Sequence, residues 1–496
     1  MKNVRSTLLS LAVGTALLAG ATSARATQLA PYFYTWGYGN TTYAVTGLMD
    51  ARNKMGLDAA TLAFVVSAGG CTVDTSISAM QSDITAFQNA GGRVIISFGG
   101  ANGTYLESAC TAAQMTTLID GMLQQTGVRA IDFDAEGGQL GTPALNTTRN
   151  AVIKALRVKY PNLYVSLTLP SVPVHPSWGG GGLDIYGVAA VQSAATAGAT
   201  LDIVNLMTMD YGGSYHNGST MAQLTQSAAN AAIAQLATIY PAKTNAQLWA
   251  MLGITPMIGN NDVAGETFTT ADATTITQFA IQKKVGHLAY WALQRDRPGS
   301  GPLAEYSQVP QSAFQFYNTF KAATVVVPPG PATIALTAVY SGDASKITTQ
   351  PNITVQAVCS TSGTKSTTFK PPAAGSIAGL IGQETCTLTE TALTGAVLAT
   401  GYTLSAPSAA TFTPASPVYL ANGSNAVNVT NKVNGGGTGG PCEPAWNPAT
   451  AYTGGAKVSR FNVNYTANWW TQNNDPATNN GGPGTGQPWT SNGPCQ

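Results

Sequence analysis

Between Gln28 and about Ala322 the chain repeats one unit eight times, a short apolar run followed by an amphipathic segment. The runs are residues 28–35, 60–67, 93–98, 128–135, 163–170, 202–209, 248–254 and 287–293. Segments with helical periodicity lie between them, such as 145–160 and 271–284, and residues 311–321 follow the last run. Eight strand–helix pairs in about 295 residues predict an α/β fold, a (β/α)8 TIM barrel. A doubly wound open sheet would be expected to carry a Gly-rich dinucleotide fingerprint after an early strand, and none appears.

Barrels of this kind gather their chemistry at the carboxyl ends of the strands. The fourth run, from Val128 to Gly137, places Asp132, Asp134 and Glu136 at alternate positions, so that all three point to one face. Three carboxylates on one face of an apolar strand repel one another, which suits an acid that must keep its proton near neutral pH. A cation site built on Asp-x-Asp and a solvent-facing edge strand are the alternatives. Other strand ends bring Ser97-Phe-Gly-Gly100, His175 and Trp178, Met207-Thr-Met-Asp-Tyr211 and Tyr290-Trp291 to the same rim.

Only 9% of residues are charged and the formal net charge is +1. No basic run suggests nucleic acid, and no later apolar run is long enough to span a bilayer. The Gly, Thr, Asn, Ser and Gln content suits an uncharged, hydroxyl-rich ligand. Residues 1–26 carry Lys2 and Arg5, an apolar segment from Leu8 to Leu18 and Ala24-Arg-Ala26, the pattern of a signal peptide. Secretion to an extracellular location is therefore expected, and six cysteines fit an oxidising compartment. The simplest of their 15 possible pairings is sequential: Cys71–Cys110, Cys359–Cys386 and Cys442–Cys495.

The barrel is expected to occupy 27–322 and a Pro-rich linker 323–331. Residues 332–432 show short alternating runs (333–340, 353–358, 385–390, 401–405, 426–430) and predict an all-β, immunoglobulin-like sandwich acting as a spacer. After a Gly-rich linker at 433–441, residues 442–496 hold four of the eight tryptophans. So small a unit needs a staple, and a Cys442–Cys495 bridge would contribute on the order of 4 kcal/mol. Adjacent Trp469 and Trp470 in a strand would face opposite sides, so both cannot be core.

Three resemblances carry these readings further. Ser97-Phe-Gly-Gly100, Arg129-Ala-Ile-Asp-Phe-Asp-Ala-Glu136, Met207-Thr-Met-Asp210 and Trp291 resemble, in order and spacing, the motifs of glycoside hydrolase family 18. In the middle domain, Cys386-Thr-Leu-Thr-Glu-Thr391 with Val427-Asn-Val-Thr-Asn431 resembles β-sandwich repeats of bacterial surface proteins. Ala445-Trp446, Tyr452-Thr-Gly-Gly455, Tyr465-Thr-Ala-Asn-Trp-Trp-Thr471 and Trp489 resemble the small chitin- and cellulose-binding modules of families 5 and 12.

The first resemblance implies a secreted bacterial chitinase that cleaves between N-acetylglucosamine units with retention, the substrate's own acetamido oxygen acting as nucleophile. Glu136 would be the general acid/base, and Asp134 would orient the acetamido group. Asp132 would hydrogen-bond Asp134 and share its proton, and like charges would raise the proton affinity of Glu136. Asp210 and Tyr211 would bind the acetamido group. Trp291 would floor the sugar site, with Tyr32 and Tyr290 nearby and Ser97, Gly99, Gly100 and Met207 among the substrate-binding residues. The third resemblance implies Tyr452, Trp469 and Trp470 as chitin contacts and Trp446 as core.

No cofactor or metal is called for. The expected partner is chitin and its oligomers, with no nucleic acid and no membrane, acted on by a monomer. Arg129 departs from the family pattern, which has Asp there, and Ala135 stands where a Trp is usual. An Arg in that neighbourhood could lower the carboxylate pKa values or point out to solvent. Alternatives are a non-catalytic chitin-binding lectin or adhesin, and an endo-β-N-acetylglucosaminidase acting on glycoprotein glycans or peptidoglycan.

Overall fold

The structure, a computed structural model, describes residues 27–325, 330–434, 441–481 and 485–495. The expected signal peptide lies outside the described residues, as do 326–329 and 435–440 of the two linkers. The chain divides into two compact units, Met1–Val326 and Val327–Gln496.

In the first unit eight parallel strands form one barrel-like sheet, in chain order around it. The first is in two pieces. Gln28–Leu29 pairs with the eighth strand, His287–Leu288, and Tyr32–Tyr34 pairs with the second, Ala59–Val65. Pro31 between them has no N–H to give to a ladder. The third to seventh strands are Arg93–Gly99, Ala130–Asp134, Tyr164–Val172, Ile203–Met207 and Leu252–Thr255. Helices follow the strands, the longest being Ala112–Thr126, Pro143–Lys159 and Met221–Ile239. Reciprocal capping boxes start several of them, Thr111 with Gln114 and Thr220 with Gln223 among others.

Outward strand residues such as Ile96, Ile131, Val165 and Val204 pack into the main core. Inward residues stack in layers. Ala30, Ala59, Ile95, Ala130, Tyr164 and Ile203 form one apolar layer. Asp132, Ser97, Ser166 and Thr168 form a buried polar one. Tyr32, Tyr34 and Ala63 make another cluster, with Phe64 and Trp291 packed against it.

Two expected strands differ. Residues 248–251 belong to the helix Asn245–Met251, because Thr244 and Gln247 cap it reciprocally, and the seventh strand begins only at Leu252. The eighth strand is two residues long rather than seven. Beyond it Trp291 bridges Met257, and a 3-10 turn spans Leu293–Arg295.

The second unit contains two sheets that share one core of Ile334, Leu336, Val355, Leu388, Val427 and Val429. One sheet sets Pro331–Ser341 parallel to Gly423–Asn434, and the other is built on Asn352–Cys359 and Thr385–Thr394. Strands Gly363–Phe369 and Gly375–Ile381 were not legible as apolar runs because most of their residues face solvent. Residues 441–495 form small sheets around Val458, Tyr465, Ala467 and Trp489. All three disulfides pair sequentially, 71 with 110, 359 with 386 and 442 with 495. No helix among the described residues is long and apolar enough to cross a membrane.

Candidate active site

Strand four delivers the carboxylates at three depths. Asp132 faces Ser97 on strand three and Ser166 on strand five in register, and Asp134 faces Gly99 and Thr168. The Asp132 carboxylate is fully buried and accepts hydroxyl donors from Ser166 (2.6 Å), Ser97 (2.7 Å), Thr168 (2.8 Å) and Tyr32 (3.3 Å). Burial raises its pKa and these four bonds oppose the rise.

Asp134, one layer above, lines an open cleft, and its carboxyl is hydrogen-bonded to that of Glu136. Burial, then the charges of Glu136 and Asp132, push it well above the ordinary carboxylate range. Glu136 is half-buried on the cleft wall, with its pKa raised to about 7. Burial is the largest cause and the charge of Asp210 adds to it, while the bond to Asp134 pulls the other way. The upward direction agrees with the sequence expectation, but desolvation exceeds like-charge repulsion as its source. The expected Asp132–Asp134 bond is replaced by hydroxyls on Asp132 and by Glu136 on Asp134.

The cleft, about 230 Å³, is completed by Tyr32, Phe64, Met207, Met209, Asp210, Asp262 and Trp291. Trp291 stacks on Phe64 (ring centroids 5.6 Å, planes 12° apart) and leans on Tyr34 and Tyr32 at 4.8 and 5.8 Å. Trp36, 57% exposed, continues this aromatic wall by stacking on Tyr34. Asp210 sits in the left-handed region (φ 54°), where the Val263 amide binds its carboxylate at 2.9 Å. Glu266, buried, holds the next turn by accepting from the Tyr211 and Gly212 amides at 3.0 and 2.5 Å.

Several predicted contacts lie elsewhere. Tyr211 turns into the main core, its hydroxyl beside Thr225 and Thr208, and Met209 takes the cleft position instead. Tyr290 is buried with its hydroxyl on Asp296 (3.2 Å). Ser97 lies beneath the cleft on Asp132. Gly99 and Gly100 (φ 109° and 90°) hold backbone rather than ligand. A Cβ on Gly99 would lie 2.1 Å from the Asp134 carbonyl, and one on Gly100 would lie 2.5 Å from the Phe64 ring. Arg129 is exposed at the opposite end of the strand, bonded to the Leu123 and Val128 carbonyls and stacked over Tyr160. The cation that interacts with Asp210 and Asp262 is the buried Arg295, which sequence reasoning missed.

In residues 441–495, Trp469 and Trp470 are both exposed, at 47% and 61%. They occupy a bend between Val463–Ala467 and Thr471–Gln472, which is why the alternation expected of a strand does not separate them. Tyr452 is half-buried, edge-on to Trp489. Trp489 is the fully buried tryptophan, and Trp446, expected in the core, is half-buried under Arg460.

The parallel eightfold barrel thus carries buried acids and an aromatic wall at its carboxyl rim. Residues 28–324 match glycosyl hydrolases family 18, and the chain belongs to that family. It is 34% identical over 257 residues to endochitinase 11 of Metarhizium anisopliae, across 48% of this chain and 48% of that protein. It is also 34% identical over 264 residues to a probable bifunctional chitinase/lysozyme of Escherichia coli, across 49% of this chain and 28% of that one. The chain thus spans half or less of the length of these curated relatives. Among solved structures, active domain 2 of the thermostable chitinase from Pyrococcus furiosus, bound to chito-oligosaccharides, superposes with a TM-score of 0.52 at 28% identity. That match covers 60% of this chain and 94% of the other.

Proposed function

We propose that this protein is a secreted chitinase that hydrolyses β-1,4 bonds between N-acetylglucosamine units by retaining, substrate-assisted catalysis. The observation that carries the reading is Glu136, on the wall of an aromatic cleft, with its proton held up to about pH 7 by burial and its carboxyl bonded to Asp134. Below that pH it donates a proton to the glycosidic oxygen. The acetamido oxygen of the sugar attacks its own anomeric carbon, so no second carboxylate is needed as nucleophile. Asp134, its proton affinity raised by burial and its Oδ1 without a hydrogen-bond partner among the described residues, orients that acetamido group. Its bond to Glu136 then stabilises the carboxylate left by proton transfer. Asp210 reaches the same cleft from strand six.

Trp291 and its stacked neighbours supply a flat apolar wall for a sugar ring. The exposed Trp469–Trp470 pair supports a chitin-holding role for the C-terminal residues, which raises the local concentration of an insoluble substrate without adding contacts at the cleft. An intact acid disfavours the lectin alternative. The relatives named as chitinases favour chitin over glycoprotein glycans.

The test is proton NMR of N-acetylchitooligosaccharide hydrolysis. The β-anomer is expected first, and Glu136→Gln is expected to lower kcat at least 100-fold. Initial α-anomer, or a Glu136→Gln variant as fast as the parent, would contradict the mechanism.

A further inference from the structure

Glu136 lies just past the point where its strand can be paired by its neighbours. The Asp134 carbonyl accepts from the Gly100 amide (2.9 Å), and the Ala135 amide donates to the Thr168 carbonyl (2.9 Å). There the ladder to both flanking strands ends. The next donor, the Glu136 N–H, has no strand to meet, and a buried amide without a partner is costly. The phenol oxygen of Tyr105 accepts it at 2.9 Å, and the Tyr105 O–H in turn donates to the Gly100 carbonyl at 2.9 Å. One side chain therefore extends the sheet by one rung and ties the Glu136 backbone to the Gly99–Gly100 joint.

Tyr105 is itself held firmly. It is 2% exposed and immediately precedes the helix Leu106–Ala109. Glu107 in that helix makes a buried ion pair with Arg149 (2.7 Å) of helix Pro143–Lys159, and Cys110 at its end is bridged to Cys71. Burial raises the phenol pKa, and the carboxylates of Asp134, Glu136 and Glu107 add to the rise, so the hydroxyl stays neutral and can both donate and accept. Tyr105 is not part of the cleft wall, so any effect it has on a substrate passes through Glu136.

We propose that Tyr105 is a positioning residue for Glu136: its hydroxyl, bridging the Glu136 amide and the Gly100 carbonyl, fixes where the carboxyl stands relative to the glycosidic oxygen. This rests on the reading of Glu136 as the proton donor. A positioning residue of this kind has a signature that general destabilisation lacks. A misplaced acid slows departure of a leaving group that needs protonation and spares one that does not.

The experiment compares parent and Tyr105→Phe by kcat/KM, which reports steps up to the first irreversible one, on two substrates. One is N-acetylchitotetraose, whose leaving sugar requires a proton. The other is the dinitrophenyl glycoside of N-acetylchitobiose, whose leaving group does not. The variant is expected to lose about tenfold on the first and to stay within about twofold on the second. Equal losses on both, or no loss on either, would overturn the proposal. Glu136→Gln calibrates the signature, since it is expected to show the same selectivity with a larger loss. A parent inactive on both substrates would instead sink the functional reading itself. Should Tyr105→Phe fail to fold, difluorotyrosine at position 105 keeps the ring and hydroxyl but weakens the accepting oxygen. The same selective loss, smaller, is then expected, and a non-selective loss overturns the proposal.

Discussion

Asp132 and Glu136 carry the same chemical group on the same strand face, yet their surroundings give them different tasks. Asp132 is closed in by four hydroxyls and is absent from the cleft lining, so it braces the floor beneath Asp134. Glu136 has one carboxyl partner, partial exposure and a proton held by desolvation. Arg129, the departure from the family pattern, has no part in this balance because its guanidinium is spent on backbone carbonyls and the Tyr160 ring. Arg129→Ala is therefore expected to leave the pH–rate profile unchanged while lowering stability by about 1 kcal/mol. Urea melts and kcat/KM against pH check both halves, and a shifted profile would show that the charge reaches the acids. The carboxylates were legible in the sequence because strand alternation fixes their face. The misplacement of Tyr211 has a physical cause as well. The resemblance put it at the acetamido group, but Asp210 adopts positive φ and the backbone beyond it carries Tyr211 into the core, while Met209 lines the cleft.

At the scale of elements, the barrel was legible because each strand buries its outer face against a helix and its inner face against the other strands, giving near-continuous apolar runs. Boundaries failed where local chemistry overrode that pattern. Residues 248–251 are apolar enough for a strand, but the Thr244–Gln247 capping box commits them to a helix. The strand-three glycines resemble a ligand-approach motif. Their observed task is to let strand four come close, since a side chain on Gly99 would collide with the Asp134 carbonyl. The loop 259–266 supplies Asp262 to the cleft, the Val263 amide to Asp210 and Glu266 to the following turn. Nothing in its sequence marks it, because its contribution rests on backbone amides and on contacts made at long range.

At the scale of the whole molecule, the buried acids and the exposed tryptophan pair lie in different parts of the chain. The barrel holds the buried acids, and the C-terminal residues hold exposed rings on a core stapled by Cys442–Cys495. Trp469→Ala combined with Trp470→Ala is expected to abolish co-sedimentation with chitin while leaving hydrolysis of soluble oligomers within about twofold of the parent. Undiminished co-sedimentation would remove these two residues from the binding surface. The high tryptophan content of residues 442–496 could be read from composition. The exposure of both tryptophans could not, because it depends on a bend that the alternation rule does not foresee.

Burial raises the Glu136 pKa to about 7, as its proposed role of general acid near neutral pH requires. A carboxyl whose folded pKa is raised retains its proton up to that pKa, so activity should fall as pH rises through it. The direct test is kcat/KM on N-acetylchitooligosaccharides from about pH 4 to 9, which reports the free protein. An alkaline limb with its midpoint at about 7 is expected. A midpoint near the ordinary glutamate value of about 4.3, or a rate that does not fall between about pH 6 and 9, would contradict it.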